Sequence, residues 1–282
     1  MKSPLLFMVF SLAFASCQSE KRVEGVYRYS FEKQGRFIVS IVDGSKIRQN
    51  IYKEFVYGGN EQRYPFVPKG EIWIDNAISS EEYELTVRHE LNERHLMAKF
   101  AMTYQAAHDS SLALELTIRH RNESICSAHE SSLGMVSVRD YNGKKEIQSI
   151  PDSIRLQNIY RIPMGNRKGI SIWVVDGYRV RKTFFPDFGF SGNDLSCHFI
   201  PKNEIWIDGQ ISCEETEYSI ATELIERKLI SEGKSYDDAY ETAIESVRQQ
   251  RVKMADYVGT LPKIAVPDSL DRDTGILDPN EN

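Results

Sequence analysis

A chain of 282 residues, 41% hydrophobic and 11% aromatic, has enough apolar material for one large core or two ordinary ones, which excludes a disordered polymer. The formal net charge is -6, with lysine and arginine spread evenly along the chain. A nucleic-acid partner would leave a basic patch as its footprint, so that class of partner is excluded as well.

The chain opens on Met1-Lys2, a short basic start, and residues 4–16 are almost wholly apolar. That length suits the core of a signal peptide and is too short to span a bilayer. The stretch ends in Phe14-Ala15-Ser16-Cys17. Small residues ahead of a cysteine resemble the lipobox of bacterial lipoproteins, although Phe14 stands where that pattern usually has leucine. The resemblance implies that segment 1–17 is a signal peptide and that Cys17 carries lipid. The protein would then be exported to the periplasm, outer membrane or cell surface, with the membrane as a partner through the N-terminal lipid rather than through a span. Ordinary secretion, with cleavage near Ala15 or Ser16, is the alternative. Cys126, Cys197 and Cys213 remain, an odd number without a CxxC spacing. A cysteine zinc site is therefore not expected, and one disulfide or free thiols stay open.

The middle of the chain is a duplication. Residues 66–75 read FVPKGEIWID and residues 199–208 read FIPKNEIWID, eight of ten positions identical at an offset of 133. The same offset places Val42-Asp43-Gly44 on Val175-Asp176-Gly177, Arg48 on Arg181, and Glu90-Leu91 on Glu223-Leu224. Further on it drops by one, bringing Tyr104 onto Tyr236, as a one-residue loop deletion would. Module 1 then covers 23–122 and module 2 covers 157–256. A connector at 123–156 separates them, with strands expected at 136–138 and 146–150 around Asn142-Gly143. A loosely ordered tail is expected at 257–282.

Each module reads as strands, then helices. Phe37–Val42 is an apolar strand, Asp43-Gly44 is a hairpin signal, and residues 47–57 are expected to return as a second strand. Glu71–Asp75 alternates and reads as a third. Ser79 and Glu82, three apart, form a capping-box pattern repeated as Ser212 and Glu215. A helix to about Phe100 follows, and Thr103 (Ser235 in module 2) starts a second over residues 104–119. The expected fold class is α+β, a tandem duplication of a short antiparallel sheet followed by a helical hairpin. Trp73 and Trp206 alternate out of phase with the isoleucines and are expected to cover the helices or an inter-module contact. Asp75 and Asp208 are expected to hydrogen-bond a turn. Gly58-Gly59-Asn60 reads as a loop needing positive φ.

His89-Glu90-Leu91-Asn92-Glu93 lies in the first long helix. His89 and Glu93 share a face at i and i+4, and Glu90 sits about 100° round the helix. The arrangement resembles the HExxH helix of zinc metallopeptidases, with Glu93 in place of the second histidine. The resemblance implies zinc as cofactor, held by His89, Glu93 and a ligand from elsewhere. His108 is the candidate, because a helical hairpin returns its turn beside the end of the first helix; His95 points away. Glu90 would take the proton of the attacking water in peptide or amide hydrolysis. Module 2 has Thr222, Tyr240 and Lys228 in place of the three histidines but keeps Glu223, Glu226 and Arg227. The glutamates and arginine alone would make a structural ion-pair cluster. PKxEIWID followed by HExxER also resembles an uncharacterised module of bacterial and phage proteins, which brings no activity with it. Two readings follow. One is a lipid-anchored envelope protein acting in binding or assembly with a protein or peptide partner. The other is a zinc-dependent hydrolase active in module 1, with module 2 degenerate.

Overall fold

A computed structural model describes residues 25–126, 138–141, 144–147, 156 and 158–260. Residues 1–24, with Cys17 and the stretch expected to be a signal peptide, most of the expected connector and the residues after 260 lie outside the described residues. Among the described residues, no helix is long and apolar enough to cross a membrane.

Module 1 begins with β1 (Tyr27–Gln34) and β2 (Phe37–Val42), an antiparallel pair. The chain then departs from expectation. Asp43 does not open a hairpin; its carboxylate accepts the Lys46 amide at 3.1 Å and caps a short helix, α1 (Gly44–Asn50). Residues 47–57 are therefore helix and loop rather than a strand. Gly44 is needed by packing, because a Cβ there would lie 2.0 Å from Asp75 Oδ1. After α1 come β3 (Gly58–Asn60) and β4 (Glu71–Asp75). The α1 crossover makes β2 and β4 parallel, while β3 runs antiparallel to β4. The α+β tandem architecture is as expected, but each sheet is mixed rather than antiparallel, in the order β1-β2-β4-β3.

Two long helices complete the module, α2 (Ser80–Phe100) and α3 (Tyr104–Cys126), turned by Ala101 in a left-handed conformation at φ 53°. A small two-stranded hairpin follows, β5 (Val138–Tyr141) and β6 (Lys144–Ile147). Module 2 repeats the plan: β7 (Tyr160–Arg167), β8 (Ile170–Val175), α4 (Gly177–Thr183), β9 (Ser191–Asn193), β10 (Glu204–Asp208), α5 (Cys213–Ser231) and α6 (Tyr236–Thr260). Its sheet has the same order and the same parallel pair. Cys197 and Cys213 are free thiols.

Alternation along the strands makes two cores in module 1. Val39, Ile41, Ile72 and Ile74 pack with Ile78 and Val87 under α2. The opposite face gathers Trp73 with Val42, Ile47, Phe55 and Val67 beneath α1. Trp73 and Trp206 are fully buried, so neither is a recognition surface, and Trp73 covers α1 rather than the helical hairpin. Asp75 does bind its turn, accepting the Ala77 amide at 2.8 Å, and its other oxygen pairs with Arg48. Gly58 and Gly59 belong to an edge strand, and the positive φ falls on Tyr57 (61°) instead. Close approach requires these glycines, since a Cβ on Gly59 would lie 2.5 Å from the Tyr64 ring.

The modules meet reciprocally. Ile78 and Ile211 form an antiparallel bridge, flanked by Ser79 N–H to Gln210 O at 2.8 Å and Ser212 N–H to Ala77 O at 2.7 Å. Ser79 occupies its N-cap position, but its side chain makes no cap bond. The capping box is not formed because Glu82 is committed elsewhere: it accepts from Arg119 of its own module and from Arg181 of the other, at 2.9 Å. Glu215 mirrors it, paired with Arg251 and, at 2.9 Å, with Arg48. Both glutamates are buried, so each module's fold neutralises a charge of its neighbour.

Candidate metal centre

One face of α2 is polar yet buried. Glu82, Thr86, His89, Glu90 and Glu93 recur at helical spacing and are nearly inaccessible. Buried polar groups need partners, and here α3, β3 and module 2 supply them. Asn60 at the end of β3 donates its amide to Glu90 at 2.8 Å and to Glu93 at 2.9 Å. Its own carbonyl accepts the amides of Gln62 and Arg63. Asn193 braces Glu223 and Glu226 in the same way, so this part is common to both copies. Arg94 pairs with Glu61, and Arg227 with Asp194, which makes those arginines structural in both modules.

The hairpin register brings His108 of α3 opposite His89 and Glu93 of α2. His89 Nε2 is 3.0 Å from His108 Nδ1, His108 Nδ1 is 3.1 Å from Glu93 Oε2, and His89 Nε2 is 3.6 Å from that same oxygen. The three form a group whose atoms could hold a metal ion. A triangle with these sides has a circumradius of about 1.9 Å. Zinc bonds to imidazole nitrogen and carboxylate oxygen are about 2 Å long, so one ion could reach all three atoms.

The far nitrogens are also engaged. His89 Nδ1 faces Glu115 Oε2 at 3.2 Å, and His108 Nε2 faces Asp187 Oδ1 at 3.5 Å. A carboxylate behind each imidazole fixes its tautomer and aims the opposite lone pair into the site, the usual support of a metal-bound histidine. Arg119 in turn holds Glu115. Burial alone would lower the pKa of both rings, but Glu115 and Glu93 raise His89 to about 10, and Asp187 and Glu93 raise His108 to about 9. Two imidazolium N–H groups cannot oppose each other at 3.0 Å, so the two facing nitrogens do not both carry a proton. Burial and the neighbouring Glu93 carboxylate push Glu90 up to about 7, against the pull of His89 and Asn60. Burial would raise Glu93 too, but the two histidines outweigh it and hold it at about 2.

The structure thus brings His89, Glu93 and His108 together and places Glu90 beside them on the wall of a cavity of about 810 Å³ between the modules. His95 is apart, its ring against Phe100 at 5.5 Å. Sequence reasoning missed Glu115, Asn60 and Asp187. Glu115 could have been found by the comparison that singled out the histidines, because module 2 has Val247 there. Asp187 could not, since it reaches the site from module 2. Asp187→Asn is expected to weaken zinc binding about 10- to 100-fold. Its side chain is half exposed, so stability should change by no more than about 0.5 kcal/mol. Competition against a chromophoric chelator checks the affinity, and an unchanged value would mean that module 2 contributes nothing to the site. Comparison with protein-family models, curated proteins and solved structures finds no match to this chain.

Proposed function

We propose that this chain is an exported, lipid-anchored cell-envelope protein whose first module is a zinc-dependent hydrolase of peptide or amide bonds. Export and anchoring rest on the signal-like N-terminus and Cys17. The chemistry rests on one observation: three ligand-type atoms lie 3.0–3.6 Å apart, and a carboxylate stands behind each imidazole. Three protein ligands leave a fourth position open, as catalytic zinc sites do, and zinc there would supply Lewis acidity to a substrate carbonyl. Glu90, held by Asn60 and facing the cavity, is the base that takes a proton from the attacking water. Module 2 keeps Asn193, Glu223 and Glu226 but has no histidine pair, and serves as scaffold and as donor of Asp187.

A second reading is favoured by the continuity of the buried polar chain. From His108 it runs through His89, Glu115, Arg119 and Glu82 to Arg181. A scaffold for binding or assembly could use such a chain only to lock its modules. Module 2 argues against this: its chain stops at Arg251, with Val247, Thr222 and Tyr240 beyond, and it keeps the same fold. Elemental analysis of protein purified under metal-replete conditions, without the signal segment and Cys17, should find about one zinc per chain. Its absence would leave the scaffold reading.

A further inference from the structure

We propose that Arg63 anchors a carboxylate of the substrate beside the metal centre; this rests on the hydrolase reading and narrows its substrate class. Arg63 follows β3, and its backbone amide donates to the Asn60 carbonyl groups, so the residue that braces Glu90 and Glu93 also sets the position of Arg63. Its guanidinium lies 3.9 Å from the centre of the Tyr104 ring and 5.3 Å from that of Tyr64. Tyr104 in turn lies against the His108 ring at 5.4 Å. Only one aromatic ring therefore separates this cation from a metal-ligand histidine. Both Arg63 and Tyr104 line the cavity that His89, Glu90 and His108 also face.

Among the described residues, Arg63 is the one arginine lining this cavity without an ion pair to a carboxylate. Arg48, Arg94, Arg119, Arg181, Arg227 and Arg251 each hold a carboxylate. Among the described residues, the polar neighbours of the Arg63 guanidinium are tyrosine hydroxyls: Nη2 lies 3.5 Å from that of Tyr52, Tyr64 is a second hydrogen-bonding neighbour, and the buried Nε has no partner. A guanidinium stacked on rings keeps its edge free, and that edge fits a carboxylate with two parallel hydrogen bonds. The duplication supports the assignment. Module 2 has Ser196 in this position, so the copy that lacks the histidines lacks the cation as well, although it keeps Asn193 and Tyr236. A cation needed by the fold would be expected in both copies. The carboxylate can be a peptide's C-terminus or an acidic side chain next to the scissile bond.

The test uses the zinc-loaded full chain in detergent and three probes: N-acetyl-Ala-Ala, its amide, and N-acetyl-Asp-Ala amide. Binding is measured by calorimetry and zinc content on the same samples. At least one carboxylate-bearing peptide should bind about tenfold or more tighter than the neutral amide, and which one does so identifies the source. Arg63→Gln should abolish that preference with zinc content unchanged, and Arg63→Lys should keep part of it. Equal binding of all three peptides, no binding of any, or a preference that persists in Arg63→Gln overturns the assignment. The comparison of acid with amide in the unaltered protein holds even if a variant folds poorly. Zinc bound without a preference removes Arg63 and leaves the metal centre; a preference without zinc removes the hydrolase and leaves the anion site.

Discussion

His108→Ala is expected to lower zinc affinity at least about a hundredfold, because structural zinc sites draw roughly 10–16 kcal/mol from four ligands and one of three protein ligands is lost here. The loss should be local. His108 lies on the cavity wall rather than in either apolar core, and module 2 folds with Tyr240 in its place. The variant should therefore keep its far-ultraviolet circular dichroism and its cooperative melt. Chelator competition reads the affinity. Retained affinity with an intact fold would show that the two histidines and Glu93 are a proton-sharing cluster, not a ligand set.

Glu82→Gln should cost about 3–5 kcal/mol of stability, the usual result of removing one partner from a buried ionic group. Glu82, Arg119 and Arg181 are nearly inaccessible, and the substitution leaves two guanidiniums from different modules facing an uncharged amide. A pH signature separates this from simple loss of packing. Burial by itself would raise the Glu82 carboxyl, but Arg181 and Arg119 outweigh it and hold it below the ordinary value of 4.5. A carboxylate depressed in the folded state stabilises the fold above its unfolded pKa, and that contribution is lost as pH falls through the lower folded value. Asp75 acts in the opposite sense, since burial outweighs Arg48 and raises its carboxyl. The difference between the unaltered protein and Glu82→Gln isolates the Glu82 contribution. Denaturant unfolding at neutral pH and at about pH 4 and below should show this difference narrowing on acidification. A difference that stays constant would contradict the assignment.

The duplication, the EIWID strands and the two-helix end of each module are readable because they depend on local pattern: alternation, a serine at the N-cap position and helical spacing. Residues 47–57 are not. Asp43 and Gly44 present the dipeptide of a tight turn, but the Asp43 side chain caps α1, and Gly44 is held by the proximity of Asp75, which lies 31 residues further along the chain. Glu82 shows the same limit. Its spacing from Ser79 fits a capping box, yet two arginines, one from the other module, provide a stronger partner for a buried carboxylate. The metal-ligand candidates could be found in the sequence because His89 and Glu93 share a helix face and a hairpin brings back His108. Their support could not, since Asn60 comes from an edge strand, Glu115 from two turns along α3 and Asp187 from module 2. Trp73 is a different case. Alternation puts it on the opposite face from the isoleucines, but the element that covers it is α1, where the sequence pattern predicts a strand.

On the proposed reading, module 1 holds a metal ion and module 2 does not. Crystals grown with zinc, measured on both sides of its absorption edge, test this most directly. The expected result is one anomalous peak in module 1, about 2 Å from His89 Nε2, Glu93 and His108 Nδ1, with no peak between Thr222, Glu226 and Tyr240. No peak at the three module 1 atoms, with zinc present in the crystal, would mean that His89, Glu93 and His108 are not a metal site.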